Sequence, residues 1–283
     1  MQAAARADAD IDELEDIEVK LLLEGVHLRY GYDFRDYSMS PLRRSLHGVM
    51  VREGVPTISA YQDRVLHDPR CMERFLTAVG VNVTTMFREP ELIGCVRDEL
   101  IPIFRTYPSI RIWIAGCATG EDAYSLAVLL KEENLLRRTT IFATDMNEQM
   151  LAVGRLGGYP VDRFRRYSEA YQAAGGRGSL SDHCAISGTQ MRFDPELSSS
   201  ITWARHNLVS DGSFNDFHLI VCTNVLIYFG RSLQERSHRL FYDSLVRGGY
   251  LGLGRRESLL HCPDREHYEQ TRDGVNLFRK MRW

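Results

Sequence analysis

Two glycines and an acidic side chain form the most informative pattern in the chain. Gly116 and Gly120 lie in a turn between an apolar segment, residues 110–115, and a helix-like segment that begins at Glu121. Such glycines allow a ligand to approach the backbone at the carboxyl edge of an α/β sheet. The turn matches G-x-G-x-x-G imperfectly and has no phosphate-binding lysine, and Glu121 would repel a pyrophosphate. The pattern therefore predicts a ligand without phosphates.

A second carboxylate, Asp145, follows the next predicted strand, residues 139–144. At that position a carboxylate can accept hydrogen bonds from both hydroxyls of a ribose. Asp145 could instead cap the helix that follows, because Asp is a good N-cap residue. Its pairing with the glycine turn one βα unit earlier favours the ligand. An adenosine that carries a cationic sulfonium and an amino-acid tail fits these acids.

The elements that must position these side chains follow two patterns. From residue 17 to about 88, apolar residues recur at helical spacing, which predicts a helical domain. Its first helix is predicted to end at Tyr30-Gly31, and the second to begin with Ser40 as cap and Pro41 at the first helical position. Residues 1–16 have few large apolar side chains and are predicted to be disordered.

From residue 89 to 283 we predict a second domain of the α/β class, because strand and helix patterns alternate after residue 110. A mostly parallel sheet with flanking helices is the economical arrangement. Residues 157–200 are rich in Gly, Ser, Arg and Tyr and too long for a plain connection. They are predicted to form an insertion with its own fold.

Composition excludes several classes of protein. Among 283 residues, a net charge of -3 argues against broad nucleic-acid binding, which needs a basic face. The six cysteines occur singly, without C-x-x-C pairs, so they are predicted to be reduced, buried thiols and not metal ligands. No apolar run reaches the ~20 residues of a membrane helix. We therefore expect no metal, no membrane insertion, a cytoplasmic location and, by default, a monomer.

Several separated blocks resemble the CheR-type protein-glutamate methyltransferases, over almost all of the chain from Ile17 to Trp283. The blocks are YDF at 32–34, LRR at 42–44, NVTTMFR at 82–88, AGCATGE at 115–121, ATD at 143–145, HNL at 206–208 and CTNVLIYF at 222–229. The resemblance implies a helical N-terminal domain and a Rossmann-like S-adenosylmethionine methyltransferase domain with a small inserted β-subdomain.

The same resemblance implies roles for individual residues. The cofactor S-adenosylmethionine, with S-adenosylhomocysteine as product, would be bound by Asn82, Thr84, Arg88, Ala115, Gly116, Glu121, Asp145, Met146, Asn207, Leu208, Cys222, Thr223 and Asn224. Arg88 and Tyr228 are the catalytic candidates: Arg88 would hold the incoming carboxylate, and the Tyr228 hydroxyl would orient substrate or cofactor. A surface cation and a core aromatic residue are the structural alternatives.

The implied partner is a methyl-accepting protein of the chemoreceptor type. Arg43, Arg44 and Arg52 would form a docking surface for its acidic helices, although a solvated polar face would look the same in sequence. In some family members the inserted subdomain binds a receptor's C-terminal tail. Two other functions stay open: a methyltransferase acting on a small molecule or RNA, and a non-catalytic module that regulates a signalling complex.

The chain departs from the family pattern at three places. Thr223 stands where the family usually has Arg, and Met86-Phe87 replaces a frequent aromatic pair. Where members often show Gly-His-Ser-Glu, this chain reads Gly-Arg-Arg-Glu at 254–257. We therefore expect the substrate-side rim of the site to differ from that of its relatives.

Overall fold

The computed structural model describes residues 2–80 and 84–281, with side chains from residue 13 onward. Two compact units are present. The first comprises Met1–Val81 and Tyr228–Leu233, and the second comprises Asn82–Ile227 and Gln234–Trp283. The domain boundary expected near residue 88 remains a prediction.

The first unit is helical. Its helices are α1 Gln2–Tyr30, α2 Met39–Glu53, α3 Ile58–His67 and α4 Pro69–Val79. Burial follows the helical spacing seen in the sequence: Leu22, Leu46, Tyr61 and Phe75 are all fully buried. The segment after residue 227 belongs here because Phe229 pairs with Tyr37 through an isolated bridge.

The N-terminus differs from its prediction. The structure begins helix α1 at Gln2, where disorder was expected for residues 1–16. Ala and Glu are good helix formers, and the helix continues into an apolar face that stabilises it by packing. Two acids of the expected disordered segment are also paired: Asp16 bonds Arg43, and Glu15 lies 2.8 Å from the His47 ring nitrogen.

Helix α2 also begins earlier than predicted. Its N-cap is Ser38, so Pro41 stands at the third helical position and Ser40 lies inside the helix. Proline is tolerated there because the first four amides of a helix have no intrahelical acceptor. The backbone amide of Ser38 donates to the Tyr228 carbonyl at 2.8 Å, and this contact fixes the start of the helix. The predicted end of α1 at Tyr30 is confirmed.

The second unit contains a seven-stranded sheet of order β6-β2-β1-β7-β8-β10-β9. Its strands are β1 Ile110–Ala115, β2 Thr139–Asp145, β6 Ile201–Arg205, β7 Phe217–Cys222, β8 Leu245–Leu253, β9 Tyr268–Arg272 and β10 Val275–Lys280. Neighbours from β6 to β8 are parallel, and β10 is antiparallel to both β8 and β9. The predicted α/β class and mostly parallel sheet are confirmed.

Helices connect these strands. They are α5 Pro90–Cys95, α6 Ile101–Phe104, α7 Glu121–Glu132, α8 Glu148–Leu156, α9 Phe164–Ala173, α10 Pro195–Ser199 and α11 Arg231–Ser244. Nine of the twelve residues of α7 are buried, which makes it the central helix of this unit. No helix in the described part of the chain has the length and apolarity to cross a membrane.

The insertion expected from the resemblance contains a second, smaller sheet. Strands β3 Gly158–Pro160, β4 Cys184–Ser187 and β5 Gln190–Phe193 pair antiparallel in the order β3-β5-β4. The predicted inserted β-subdomain is thereby confirmed as part of the fold. Its core faces α7, since Tyr124 of that helix stacks on Phe193 with ring centroids 4.8 Å apart.

Candidate functional site

The predicted cofactor residues converge at one edge of the large sheet. Strands β6, β2, β1 and β7 are parallel neighbours, so their carboxyl ends meet at the same edge. Ala115, Asp145 and Cys222 are the last residues of β1, β2 and β7. Six further candidates immediately follow the ends of β1, β2, β6 and β7 or lie a few residues beyond: Gly116, Met146, Asn207, Leu208, Thr223 and Asn224.

The two glycines are required by the packing of the turn. Gly116 has φ +72° and Gly120 has φ +91°, a region that favours glycine. A Cβ at Gly116 would lie 2.5 Å from Val225, and one at Gly120 would lie 2.3 Å from Trp203. In sequence, these glycines predicted the close approach of a ligand to the backbone. The structure adds a different reason, since protein side chains already occupy the space that a Cβ would need.

Asp145 is bound by the backbone of that turn. One carboxylate oxygen accepts from the Ala118 amide at 2.9 Å and the other from the Asn147 amide at 2.8 Å. Helix α8 begins at Glu148 with Asn147 as its N-cap, so the helix-cap alternative for Asp145 is wrong. Burial raises the pKa of the Asp145 carboxyl, and the backbone donors oppose that rise.

Glu121 is fully buried in the first turn of α7. Its carboxylate accepts hydrogen bonds from the hydroxyls of Thr119 at 2.6 Å and Tyr167 at 3.1 Å, and Arg163 lies 3.5 Å away. Burial raises its pKa, and these partners oppose the shift. Tyr167 and Arg163 were missed in the sequence because they belong to the insertion, more than forty residues from Glu121. Only the aromatic and basic composition of that segment hinted at them.

The predicted motif at 82–88 is anchored to the same helix turn. Asn82 lies outside the described residues. Met86 and Phe87 are buried, and the Phe87 amide donates to the Ser125 hydroxyl at 2.8 Å. That hydroxyl donates in turn to the Glu121 carbonyl at 2.7 Å. The segment that carries Thr84 and Arg88 is therefore held beside the start of α7.

Asp122 and Thr223 form a contact that the sequence did not suggest. The Thr223 hydroxyl donates to the Asp122 carboxylate at 2.7 Å, across 101 residues of sequence. Burial raises the pKa of Asp122 to about 6, while the Thr223 hydrogen bond and the nearby charge of Arg88 oppose that rise. The departure from the family pattern at Thr223 thus lies within hydrogen-bonding distance of a carboxylate whose pKa is raised.

Asn224 and Glu257 also lie at the carboxyl edge of the large sheet, after β7 and β8. Asn224 has φ +60°, is buried, and donates from its side-chain amide to Glu89 at 3.3 Å. Glu257 is buried behind it and accepts from four backbone amides. In sequence, Glu257 stands out only as the last residue of the Gly-Arg-Arg-Glu block at 254–257. Arg255 and Arg256 of that block are exposed.

The remaining candidates belong to the first unit. The backbone carbonyl of Tyr228 accepts from Ser38. Arg43 is ion-paired with Asp16, and Arg44 and Arg52 are exposed on α2. These side chains remain predictions as catalytic or docking groups.

The six cysteines are buried, neutral groups. All six are free and buried, as predicted from their scattered positions. Burial raises the pKa of the Cys117 and Cys222 thiols well above their usual range, which keeps both neutral. Among the described residues, no group of three or more His, Cys, Asp or Glu side chains is arranged to hold a metal ion.

The carboxylates at this edge of the sheet suit a cationic nucleoside as ligand. Glu121, Asp122 and Asp145 provide carboxylates at the edge, and each is compensated mainly by hydroxyls or backbone amides. Such an excess of acceptors favours a ligand with ribose hydroxyls and positive charge and disfavours a phosphate. Fold and site together define a Rossmann-like, S-adenosylmethionine-dependent methyltransferase.

Comparison with known families identifies the chain further. The family described as "CheR methyltransferase, SAM binding domain" matches residues 82–275, and "CheR methyltransferase, all-alpha domain" matches residues 17–79. The chain belongs to the CheR methyltransferase family, and its cofactor is S-adenosylmethionine.

Its relatives are bacterial proteins. The chain is 41% identical to the "Putative methyltransferase Cher3" of Pseudomonas putida, over 94% of this chain and 97% of that protein. It is 28% identical to a "Chemotaxis protein methyltransferase" of Listeria innocua, over 83% and 87% of the two chains. A solved methyltransferase of Geobacter sulfurreducens in complex with S-adenosyl-L-homocysteine is 13% identical, over 63% and 53% of the chains, with a TM-score of 0.34. So distant a likeness carries no argument about function.

Proposed function

We propose that the protein methylates glutamate side chains of chemoreceptor-type signalling proteins in the cytoplasm. The observation that carries the proposal is the composition of the carboxyl edge, where the charge of Arg88 acts on Asp122 beside the carboxylates of the predicted cofactor site. A cation there can attract a carboxylate acceptor to a place that would otherwise repel it. Relatives named chemotaxis protein methyltransferase support a role in chemotaxis for this chain.

The chemistry requires alignment more than activation. S-adenosylmethionine, when bound, supplies the methyl group on a sulfonium. A glutamate with a pKa of about 4.3 is already ionised at neutral pH, so the protein needs no general base. Its task is to exclude water and hold the attacking oxygen within about 3–3.5 Å of the methyl carbon.

Arg88 would orient the acceptor carboxylate through charge-assisted hydrogen bonds. A very tight ion pair would lower the nucleophilicity of the oxygen, so we assign Arg88 to positioning. The hydroxyl of Tyr228 is the second candidate for orienting substrate or cofactor. Asp145 would accept hydrogen bonds from the ribose, and Glu121 would favour the cationic end of the cofactor.

The docking surface for the acceptor is proposed on α2. Arg43 already neutralises Asp16, which leaves Arg44 and Arg52 as the cations more available to an acidic helix. We expect Arg44→Glu/Arg52→Glu to reduce receptor methylation about tenfold, through loss of favourable charge pairing. Steady-state kinetics with a purified receptor cytoplasmic domain would measure it. An unchanged kcat/KM would remove α2 from the substrate interface.

The direct test of function is methyl transfer from labelled S-adenosylmethionine to that receptor domain, followed by mass spectrometry of the modified residue. Arg88→Ala should abolish transfer, because the acceptor carboxylate loses its orienting cation, while Arg166→Ala, a change of an exposed arginine on α9, should not. Methyl esters on glutamate would support the proposal. Cofactor binding without transfer to any receptor would indicate a non-catalytic regulatory module instead.

A further inference from the structure

Glu257 makes an unusual set of hydrogen bonds for a residue with no assigned role. One carboxylate oxygen accepts from the amides of Val225 and Leu226, both at 2.8 Å. The other accepts from Asn224 at 2.9 Å and from Gly254 at 2.8 Å. The residue is 6% exposed. A buried carboxylate is stable only with such compensation, and four buried amides depend on it in return.

These bonds join two segments at the carboxyl edge of the sheet. Asn224, Val225 and Leu226 follow β7, whereas Gly254 and Glu257 follow β8. The turn that carries Glu257 is itself fixed from the next strand, since the Asn276 side chain donates to the carbonyls of Gly254 at 2.9 Å and Glu257 at 2.7 Å. The carboxylate thus connects the segment after β7, through hydrogen bonds, to a turn that is itself held by β10 of the sheet.

The segment after β7 has a backbone conformation that needs this support. Asn224 lies in the left-handed region, which costs free energy for a residue other than glycine and persists only where the surroundings impose it. Its side chain donates to Glu89, the neighbour of Arg88. Its own neighbour Thr223 bonds Asp122. The position of Asn224 therefore affects both the acceptor side and the cofactor side of the site.

We propose that Glu257 is a positioning residue for methyl transfer, which sets the conformation of Asn224 and its neighbours by accepting their backbone amides. The methyl-acceptor part of this role rests on the proposed function. The structural part does not: Glu257 has to hold residues 224–226 whatever the acceptor is.

The variant Glu257→Gln tests the proposal in the full-length chain. Glutamine keeps the shape of the side chain, but its amide nitrogen cannot accept, so two of the four hydrogen bonds are lost. We expect faster hydrogen exchange at residues 224–226 and a fall in kcat of about 10- to 100-fold with a much smaller change in KM for S-adenosylmethionine, because a small misplacement near the reacting atoms reduces rate more than binding.

Glu133→Gln is the matched control. Glu133 is also a buried glutamate of this unit, but it lies at the opposite end of α7 from the site, about 18 Å along the helix from Glu121 at 1.5 Å per residue. Both variants should lose stability, and only Glu257→Gln should lose kcat and protection at residues 224–226. Equal losses of activity at equal stability, or unchanged exchange at those amides, would overturn the proposal.

Gly254→Ala provides a second variant in case Glu257→Gln fails to fold. A Cβ at Gly254 would lie 2.7 Å from the Glu257 carboxylate and would displace it without removing its charge. The same local exchange and the same kcat effect, in milder form, are expected. Exchange and S-adenosylhomocysteine affinity can be measured without any acceptor, so an enzyme that methylates no receptor would refute the proposed function and still leave the Glu257 role to be decided by exchange.

Discussion

Helix α7 has buried carboxylates at both ends, and their surroundings differ. At the carboxyl end, Glu133 is 1% exposed and is paired with three arginines: Arg97 at 2.7 Å, Arg105 at 2.8 Å and Arg177 at 2.9 Å. At the amino end, buried Glu121 accepts from the hydroxyls of Thr119 and Tyr167 and lies 3.5 Å from Arg163, whose side chain is half exposed. Half-buried Asp122 accepts from a hydroxyl, and Asp145, at the end of β2, accepts from backbone amides.

This difference separates structural acids from site acids. A carboxylate that serves only the fold is neutralised by cations, because an uncompensated buried charge is costly. The three carboxylates at the predicted cofactor edge accept mainly from hydroxyls and backbone amides and have fewer cationic partners than Glu133, which suits a ligand with positive charge. The two ends of α7 therefore differ in how fully their carboxylates are neutralised by cations.

Removing the structural acid should give the largest effect on stability. Glu133→Gln leaves three arginines without their shared carboxylate, and breaking a buried ion pair of this kind costs about 3 kcal/mol. Urea unfolding of wild type and variant would measure the loss, and calorimetry should give the same affinity for S-adenosylhomocysteine. A weaker affinity would remove the distinction between the two ends of the helix.

Removing a carboxylate of the predicted cofactor site should mainly reduce ligand affinity. Asp145→Ala deletes the acceptor expected for the ribose and leaves two backbone amides without their partner. We expect affinity for S-adenosylmethionine and S-adenosylhomocysteine to fall about 100-fold, equivalent to about 2.7 kcal/mol. Calorimetric titration of the folded variant is the measurement. An unchanged dissociation constant would exclude Asp145 from the cofactor site.

The sequence predicted the site residues that lie at the ends of strands. It missed the residues that reach the site only through packing between distant segments. Asp145 was predicted because it ends an apolar strand, and the end of a strand fixes where a side chain lies. Glu257 and the contact of Asp122 with Thr223 depend on pairing across 31–33 and 101 residues, for which local patterns contain no signal. The start of α2 was placed two residues late because the cap is fixed by the carbonyl of Tyr228.

The smallest effect should come from the ionisation of Asp122. Its folded-state pKa of about 6 lies above the usual value of 3.8, so the folded state holds the proton more tightly than the unfolded state. This contribution to stability is fully present below about pH 4 and is lost as the pH rises through about 6.

Asp122→Asn keeps an acceptor for Thr223 and removes the titration. A shift of this size corresponds to at most about 3 kcal/mol. Because Asp122 is only partly buried, solvent screening should reduce the effect, and the variant should be more stable than wild type at pH 8 by about 1–2 kcal/mol, with the difference shrinking towards pH 5. Urea unfolding at pH 5, 6, 7 and 8 gives the comparison. Parallel pH profiles would mean that Asp122 has the same pKa in the folded chain as in the unfolded chain, and would contradict this prediction.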